Sequence, residues 1–506
     1  MAMEPPSEKQ KIPTTNIQTQ TETVTVSVNG SPSKVSLSLS NEPGTRGGEL
    51  RWHLSDHGKS RGERSLDFDR DVLGVEIEIK RIVVKTFEIA QKESRLNCLG
   101  EKKRIRRDYI FEMETKEMVT LWGRLISDCM NSLGRPQVLF VIVNPFGGNK
   151  NGPKIFENEV KPLLEAAGIN FKMQETRYRL HAREIAYSLD FTKYDGLVTV
   201  SGDGVLAEVV NGLLKREDWE RAIKMPLGII PGGCTGNGMV KSLLHPVGDH
   251  YSASNATFAI IRGHKCSLDV ASIVQGEKMV FSVLLLTWGL VADIDIESEK
   301  LRWMGNARIE IYSLLRIFGL RRYNGKIRFV PAPGYEQYGE PVREPDGSKG
   351  ENGDRSKLHC YQGASTEFEA SKWRFIDGPF VTVWIHNVPW ASKDVMAAPK
   401  AQFSDGCLDL VIVRDCPKTV LLSLLLSIRD GSHVNSPFVT YLKVKALQLE
   451  PGRRVGDSAM RGIIDMDGEV IARGDDATNQ DPNLMDYGSP FLMKLDQGLA
   501  TLFCPI

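Results

Sequence analysis

Hydrophobic positions change their period twice along this chain, and the changes mark out three textures. From Thr23, apolar residues alternate with polar ones at Val24, Val26 and Val28, meet the turn pair Asn29-Gly30, and alternate again at Val35, Leu37 and Leu39. That pattern predicts a hairpin. Further strands are predicted at 49–54, 72–79, 82–89 and 109–113, followed by a helix over 116–130 with Met118, Leu121, Trp122, Leu125 and Ile126 on one face.

From Gln137 the pattern switches to alternating strand and helix. Strands are predicted at 138–143, 171–175, 197–200 and 227–230, with helices at 154–167, 182–189 and from Val205 onward. Gly168 should stop the first of these helices and Pro162 should bend it. Such alternation implies βαβ units around a parallel sheet, with ligands beyond the carboxyl ends of the strands. Past about Cys266 strands dominate again, at 279–287, 327–330, 380–385, 408–413, 438–449 and 462–470, with helices only at 309–320 and 419–428. Residues 336–369 are rich in Gly, Glu, Asp, Ser and Lys and read as a disordered insertion, and residues 1–20 as a disordered tail. The expected fold class is therefore α/β plus mostly-β: a β module over 21–133, an α/β domain over 137–272 and an antiparallel layer over 273–506.

Composition narrows the functions. Lys plus Arg equals Asp plus Glu, 64 against 64, so no global charge favours nucleic acid. The eight cysteines form no C-x-x-C pair, which points to a reducing, cytoplasmic compartment. The N-terminus lacks the apolar core of a secretory signal, and no run reaches the roughly 18 to 20 apolar residues that span a bilayer. The protein should be soluble or peripheral. Lys102, Lys103, Arg104, Arg106 and Arg107 form a basic cluster suited either to anionic lipid head groups or to a solvated loop.

Three turns carry the chemistry. Asn144-Pro145-Phe146-Gly147-Gly148, Ser201-Gly202-Asp203-Gly204 and Gly232-Gly-Cys-Thr-Gly236-Asn237 each follow a predicted parallel strand, and Thr176 closes another. All four should line one sheet edge. Glycine lets a ligand approach the backbone, and amides left open at a helix start favour phosphate. Asp203 inside such a turn makes sense if it holds a metal or takes a proton from an attacking hydroxyl; a plain solvent turn is the competing reading. Neither a P-loop nor a dinucleotide fingerprint is present.

Taken together, Val141-Ile-Val-Asn-Pro-Phe-Gly-Gly148, Val200-Ser-Gly-Asp-Gly204 with Glu208-Val-Val-Asn-Gly212, Trp288-Gly-Leu-Val-Ala-Asp-Ile-Asp-Ile-Glu-Ser-Glu-Lys300 and Asp467-Gly-Glu469 resemble plant-type sphingosine (long-chain base) kinases of the diacylglycerol kinase superfamily. The resemblance implies an α/β domain binding ATP with Mg2+, a β-sandwich domain binding a sphingoid base, and catalysis between them. It implies that Asp203 accepts the proton of the lipid hydroxyl and that Asp295 recognises the polar head. It places Asn144, Pro145, Phe146, Gly147, Gly148, Thr176 with the residues just after it, Ser201, Gly202, Gly204, Glu208, Gly236, Asn237, Arg302, Arg308, Gly468 and Glu469 at the nucleotide, without fixing which group holds the metal. Arg302 and Arg308 could instead pair with Glu297 or Glu299 at the surface. The third turn departs from the animal pattern Pro-Ala-Gly-Ser-Gly-Asn-Ala by one inserted residue, so no contact is carried over to Cys234 or Thr235. The strands of 21–133 with their closing helix resemble a pleckstrin-homology-like module or a generic small barrel. Peripheral contact with membranes, vacuolar or plasma, would suit a lipid substrate. Ceramide or diacylglycerol as the acceptor, or a catalytically silent lipid-binding adaptor, are the alternatives.

Overall fold

The computed structural model describes residues 20–28, 31–40, 46–56, 59–90, 101–233, 237–305, 307–342, 360–474 and 484–506. The expected tail at 1–20 lies almost wholly outside them. The chain divides into two compact units, Met1–Arg95 with Lys103–Arg135, and Leu96–Lys102 with Pro136–Ile506.

In the first unit seven antiparallel strands run in the order Lys59–Asp67, Glu49–Asp56, Ser31–Ser40, Gln20–Val28, Arg104–Glu112, Arg81–Ile89, Val72–Ile77. Their inward residues bury Trp52 edge-on against Tyr109 and Phe111. Helix Lys116–Ser132, capped by the Thr115 hydroxyl, lays Val119, Trp122, Ile126 and Cys129 onto that core. Lys59–Asp67 was not predicted, because its residues are nearly all polar. Of the basic cluster, Lys102, Lys103 and Arg106 are exposed, Arg106 facing Asp108, whereas the guanidinium of Arg104 is buried and donates to the carbonyls of Arg70 and Phe87 at 2.8 and 2.9 Å.

In the second unit the predicted parallel sheet is present, ordered Asn170–Glu175, Val138–Val143, Gly196–Ser201, Leu227–Pro231. The strands from Leu139 to Val143 and from Gly196 to Ser201 are buried throughout, as expected of a sheet covered on both faces. The helix expected to bend at Pro162 continues instead through a π-helical turn, Phe156–Val160, in which the Lys161 amide reaches back to Phe156. The wider turn accommodates the proline that has no N–H to give. Helix Ala253–Arg262 was missed by the sequence reading.

The third texture, beyond Cys266, is a run of antiparallel strands, Glu469–Arg473, Ile463–Met466, Leu285–Gly289, Thr382–His386, Leu408–Val413 and Val439–Arg454, over a core that includes Trp288, Phe329 and Phe380. Of the expected insertion, 343–359 lie outside the described residues. Its flanks are ordered: Glu340–Pro341 pairs with Phe375 and Arg374, and Tyr361 is buried against Trp219 and Phe281.

One unpredicted strand joins the two layers. Phe491–Phe503 pairs antiparallel with Lys265–Gln275 and Val439–Arg454, and its end lies parallel to Leu227–Pro231, Leu502 beside Leu227. Phe503 closes over Gly196, where a Cβ would lie 2.5 Å from its ring. Replacing Phe503 with Ala should therefore cost about 3 to 5 kcal/mol, read as a lowered midpoint in chemical denaturation with an unchanged slope.

Candidate active site

The strand ends of the parallel sheet are knitted together by their own backbones. The Asn144 amide donates to Val200, that of Gly232 to Ser201, that of Asn149 to Gly233 and that of Thr176 to Val143. The side-chain oxygen of Asn144 accepts from the Phe146 amide at 2.9 Å and from the Thr176 hydroxyl at 3.2 Å, turning the loop and tying it to the next strand. Phe146 is left half exposed at the lip. The first two predicted turns share one edge with Gly232, Gly233 and Asn237, the described residues of the third.

Asp203 is the first residue of helix Asp203–Leu214, and its carboxylate is buried. Its two oxygens accept from the amides of Gly238 and Met239, at 2.7 and 3.1 Å, the first residues of helix Gly238–Leu244. Asn237 makes that geometry: its oxygen caps the helix at the Val240 amide and its nitrogen donates to the Ser201 carbonyl. Both ends of this amide are occupied within the protein, so Asn237 is a brace. Gly238 approaches the Trp390 carbonyl so closely that a Cβ would lie 2.1 Å from it. Burial pushes the Asp203 pKa up to about 7, with the Asp467 charge adding to it and the two amides opposing it.

Facing Asp203 is the hairpin between Ile463–Met466 and Glu469–Arg473. Asp467 and Gly468 both take positive φ, 51° and 85°, the backbone of a tight two-residue turn. Asp467 is buried and receives four donors, the Ser282 hydroxyl and the amides of Val283, Leu284 and Leu285. It is fully employed in fixing the hairpin. A Cβ on Gly204 would lie 3.2 Å from the Asp467 carbonyl, so the hairpin approaches this turn closely. Glu469 extends from the hairpin to Arg179 at 2.9 Å with its side chain 45% exposed. Glu208 accepts from the Ala182 amide, serving the start of helix His181–Ser188 after Leu180, whose φ is 68°. Burial raises the Glu208 pKa, and the Glu469 charge adds to the rise. The three described non-glycine residues with left-handed backbone, Lys150, Leu180 and Asp467, all lie in these loops.

Asp295 and Asp293 both belong to helix Leu290–Ser298. Asp293 points into structure, receiving the Tyr323 hydroxyl at 2.7 Å and facing Arg321. Asp295 is half-buried; desolvation raises its pKa, opposed by the nearby Arg308. Arg308 is itself buried, and Glu297 is taken by Arg316 and Arg321, so the surface pairing of Arg308 with Glu297 does not form. The side chain of Arg302, and Gly236 with Cys234 and Thr235, lie outside what is described. Arg179 lies among the residues just after Thr176 that the resemblance put at the nucleotide, whereas Asp465 and Asp467 were not named. The signal for the two aspartates was a carboxylate at alternate positions of an otherwise apolar strand, Ile463-Ile-Asp-Met-Asp467. Among the described residues no three His, Cys, Asp or Glu side chains converge as a metal site.

The diacylglycerol kinase catalytic domain model matches residues 138–273, and the YegS C-terminal NAD kinase beta sandwich-like domain model matches 362–486. Fold and site thus define an ATP-dependent lipid kinase. The chain is 51% identical over 467 residues to Sphingosine kinase 1 of Arabidopsis thaliana, covering 91% of this chain and 93% of that protein. It is 50% identical to Sphingosine kinase 2 of the same plant, over 91% and 94%. Against human Sphingosine kinase 1 identity is 33%, over 67% and 87%. The chain belongs to the sphingosine kinase family.

The four donors on Asp467 make a direct structural prediction. Asp467→Ala leaves them buried without an acceptor and should cost at least about 3 kcal/mol, with thermal unfolding as the measurement.

Proposed function

We propose that this enzyme transfers the γ-phosphate of ATP to the primary hydroxyl of a long-chain sphingoid base, giving the 1-phosphate. The observation that carries the reading is Asp203: a buried carboxylate at the junction of the nucleotide edge and the strand-rich layer, held by two amides and with a pKa near neutrality. A base poised near the working pH can take the hydroxyl proton as the oxygen attacks. The loops 144–148 and 176–180 and the Asp467-Gly468 turn would cradle the nucleotide, with Arg179 and Arg308 supplying positive charge toward the transferring phosphoryl group. Mg2+ would be held by the phosphates and Glu469, the half-exposed carboxylate of the hairpin, and would neutralise charge on the phosphoryl oxygens. Asp295 would receive the ammonium of the base, and the apolar cluster of Leu290, Ile294, Ile317, Val413 and Leu421 would take its chain.

Membrane contact fits the exposed apolar residues Trp303, Leu314, Leu315, Phe318 and Leu426, carried by the neighbouring helices Ala307–Phe318 and Lys418–Ser427 and the turn before them. Among the described residues no helix is long and apolar enough to cross a membrane. The strand order of the first unit, closed by one helix, suits a pleckstrin-homology-like module.

Arg308 beside Asp295 favours keeping a second acceptor in view, because it partly compensates the carboxylate that would otherwise disfavour an uncharged head. A panel of sphingoid base, ceramide and diacylglycerol with labelled ATP decides between them. Label on the sphingoid base is expected, and label confined to the neutral lipids would overturn the substrate assignment. Asp203→Asn should lower kcat about 100-fold or more while the protein remains folded by circular dichroism. In the wild type kcat/KM should rise with pH through about 7, as Asp203 loses its proton, and level off above.

A further inference from the structure

One row across the strand-rich sheet holds buried polar atoms that the phosphoryl transfer does not use. Strand Leu285–Gly289 lies between Ile463–Met466 and Thr382–His386, and in register Asp465 faces Thr287, which faces Trp384. Residues directly opposite share a face of the sheet. Their neighbours one step along, Ile464, Trp288 and Val383, enter the apolar core on the other face. Asp465, Thr287 and Trp384 are 1%, 2% and 7% exposed, yet Asp465 Oδ1, Thr287 Oγ1 and Trp384 Nε1 have no partner among the described residues. Helix Leu290–Ser298, which carries Asp295, packs against all three strands, and Nη1 of the buried Arg308 is likewise unpartnered.

Unpaired buried polar atoms cost stability, and here three of them stand side by side on one face of the sheet, beneath the helix that carries Asp295. Asp467, two residues along the chain, has four donors by contrast. The row therefore reads as preorganised for a ligand. It offers at Asp465 a carboxyl that burial and the nearby Asp295, Asp467 and Glu469 bias toward its protonated form, able to accept and to donate, a group of either sense at Thr287 and a donor at Trp384. A hydroxyl, which gives one hydrogen bond and accepts others, matches that set better than a second ammonium would.

We propose that Asp465 and Thr287 form a hydroxyl-reading subsite beside Asp295, which selects a sphingoid base bearing a third hydroxyl, a 2-amino-1,3,4-triol, over a 2-amino-1,3-diol. The subsite rests on the sphingoid-base reading given above. A site whose buried polar atoms are satisfied only by a substrate hydroxyl discriminates against the analogue lacking it. Asp295 keeps the ammonium, and Asp465 adds the contact to the extra oxygen.

The test is steady-state kinetics of the full chain on C18 diol and triol bases, comparing wild type, Thr287→Val and Asp465→Asn. The wild type is expected to favour the triol by about tenfold in kcat/KM, mostly through KM. Both variants should bring the ratio toward one by raising KM for the triol. Thr287→Val removes a hydroxyl at constant shape, so it decides the matter if Asp465→Asn folds poorly. A ratio that is the same in wild type and variants, whatever its value, overturns the subsite. A wild type that phosphorylates neither base overturns the function on which the subsite rests, and that result is distinguishable because no ratio can then be formed.

Discussion

The seating of the Asp203 carboxylate on the first two amides of helix Gly238–Leu244 is the contact on which the site depends. It fixes one strand–turn–helix unit to the next, so the edge of the parallel sheet becomes a single surface. It also confines a negative charge that burial disfavours, and the balance between the two leaves the group near neutrality. Without the burial the pKa would fall back toward the ordinary aspartate range, and without the two amides it would rise further.

Around that contact the protein employs its acidic groups in distinct ways. Asp467 is consumed by four donors and acts as the peg of a hairpin. Glu208 stands in for the missing cap of a helix whose first turn follows a left-handed residue. Glu469 leans outward to Arg179, and Asp295 inward toward Arg308. Carboxylates close together in sequence thus face different neighbours, and their neighbours set what each can do.

Much of this architecture was legible in the order of apolar residues. The period changes at Gln137 and near Cys266 located the α/β layer and the strand-rich layer, and three Gly-bearing turns located the edge that holds Asp203. What escaped had physical reasons. Phe491–Phe503 interleaves Lys494, Asp496, Gln497 and Gly498 with its apolar residues, because it changes partners along its length. Lys59–Asp67 has too few apolar residues to show a period. Asp465 hid inside a strand that reads as core, and the partners of Glu208 and Asn237 are backbone groups, which leave no mark in the sequence.

The strand Phe491–Phe503 has a consequence for how this molecule comes into being. The parallel sheet borders on a strand synthesised long after Leu227–Pro231, so the α/β layer emerges from the ribosome with an open edge. Pairings between such distant segments form late and slowly, and an unpaired strand edge meanwhile invites association with other chains. The parallel-sheet layer and the strand-rich layer therefore mature together, and a nascent chain displaying only the first would be a client for chaperones before it was a kinase.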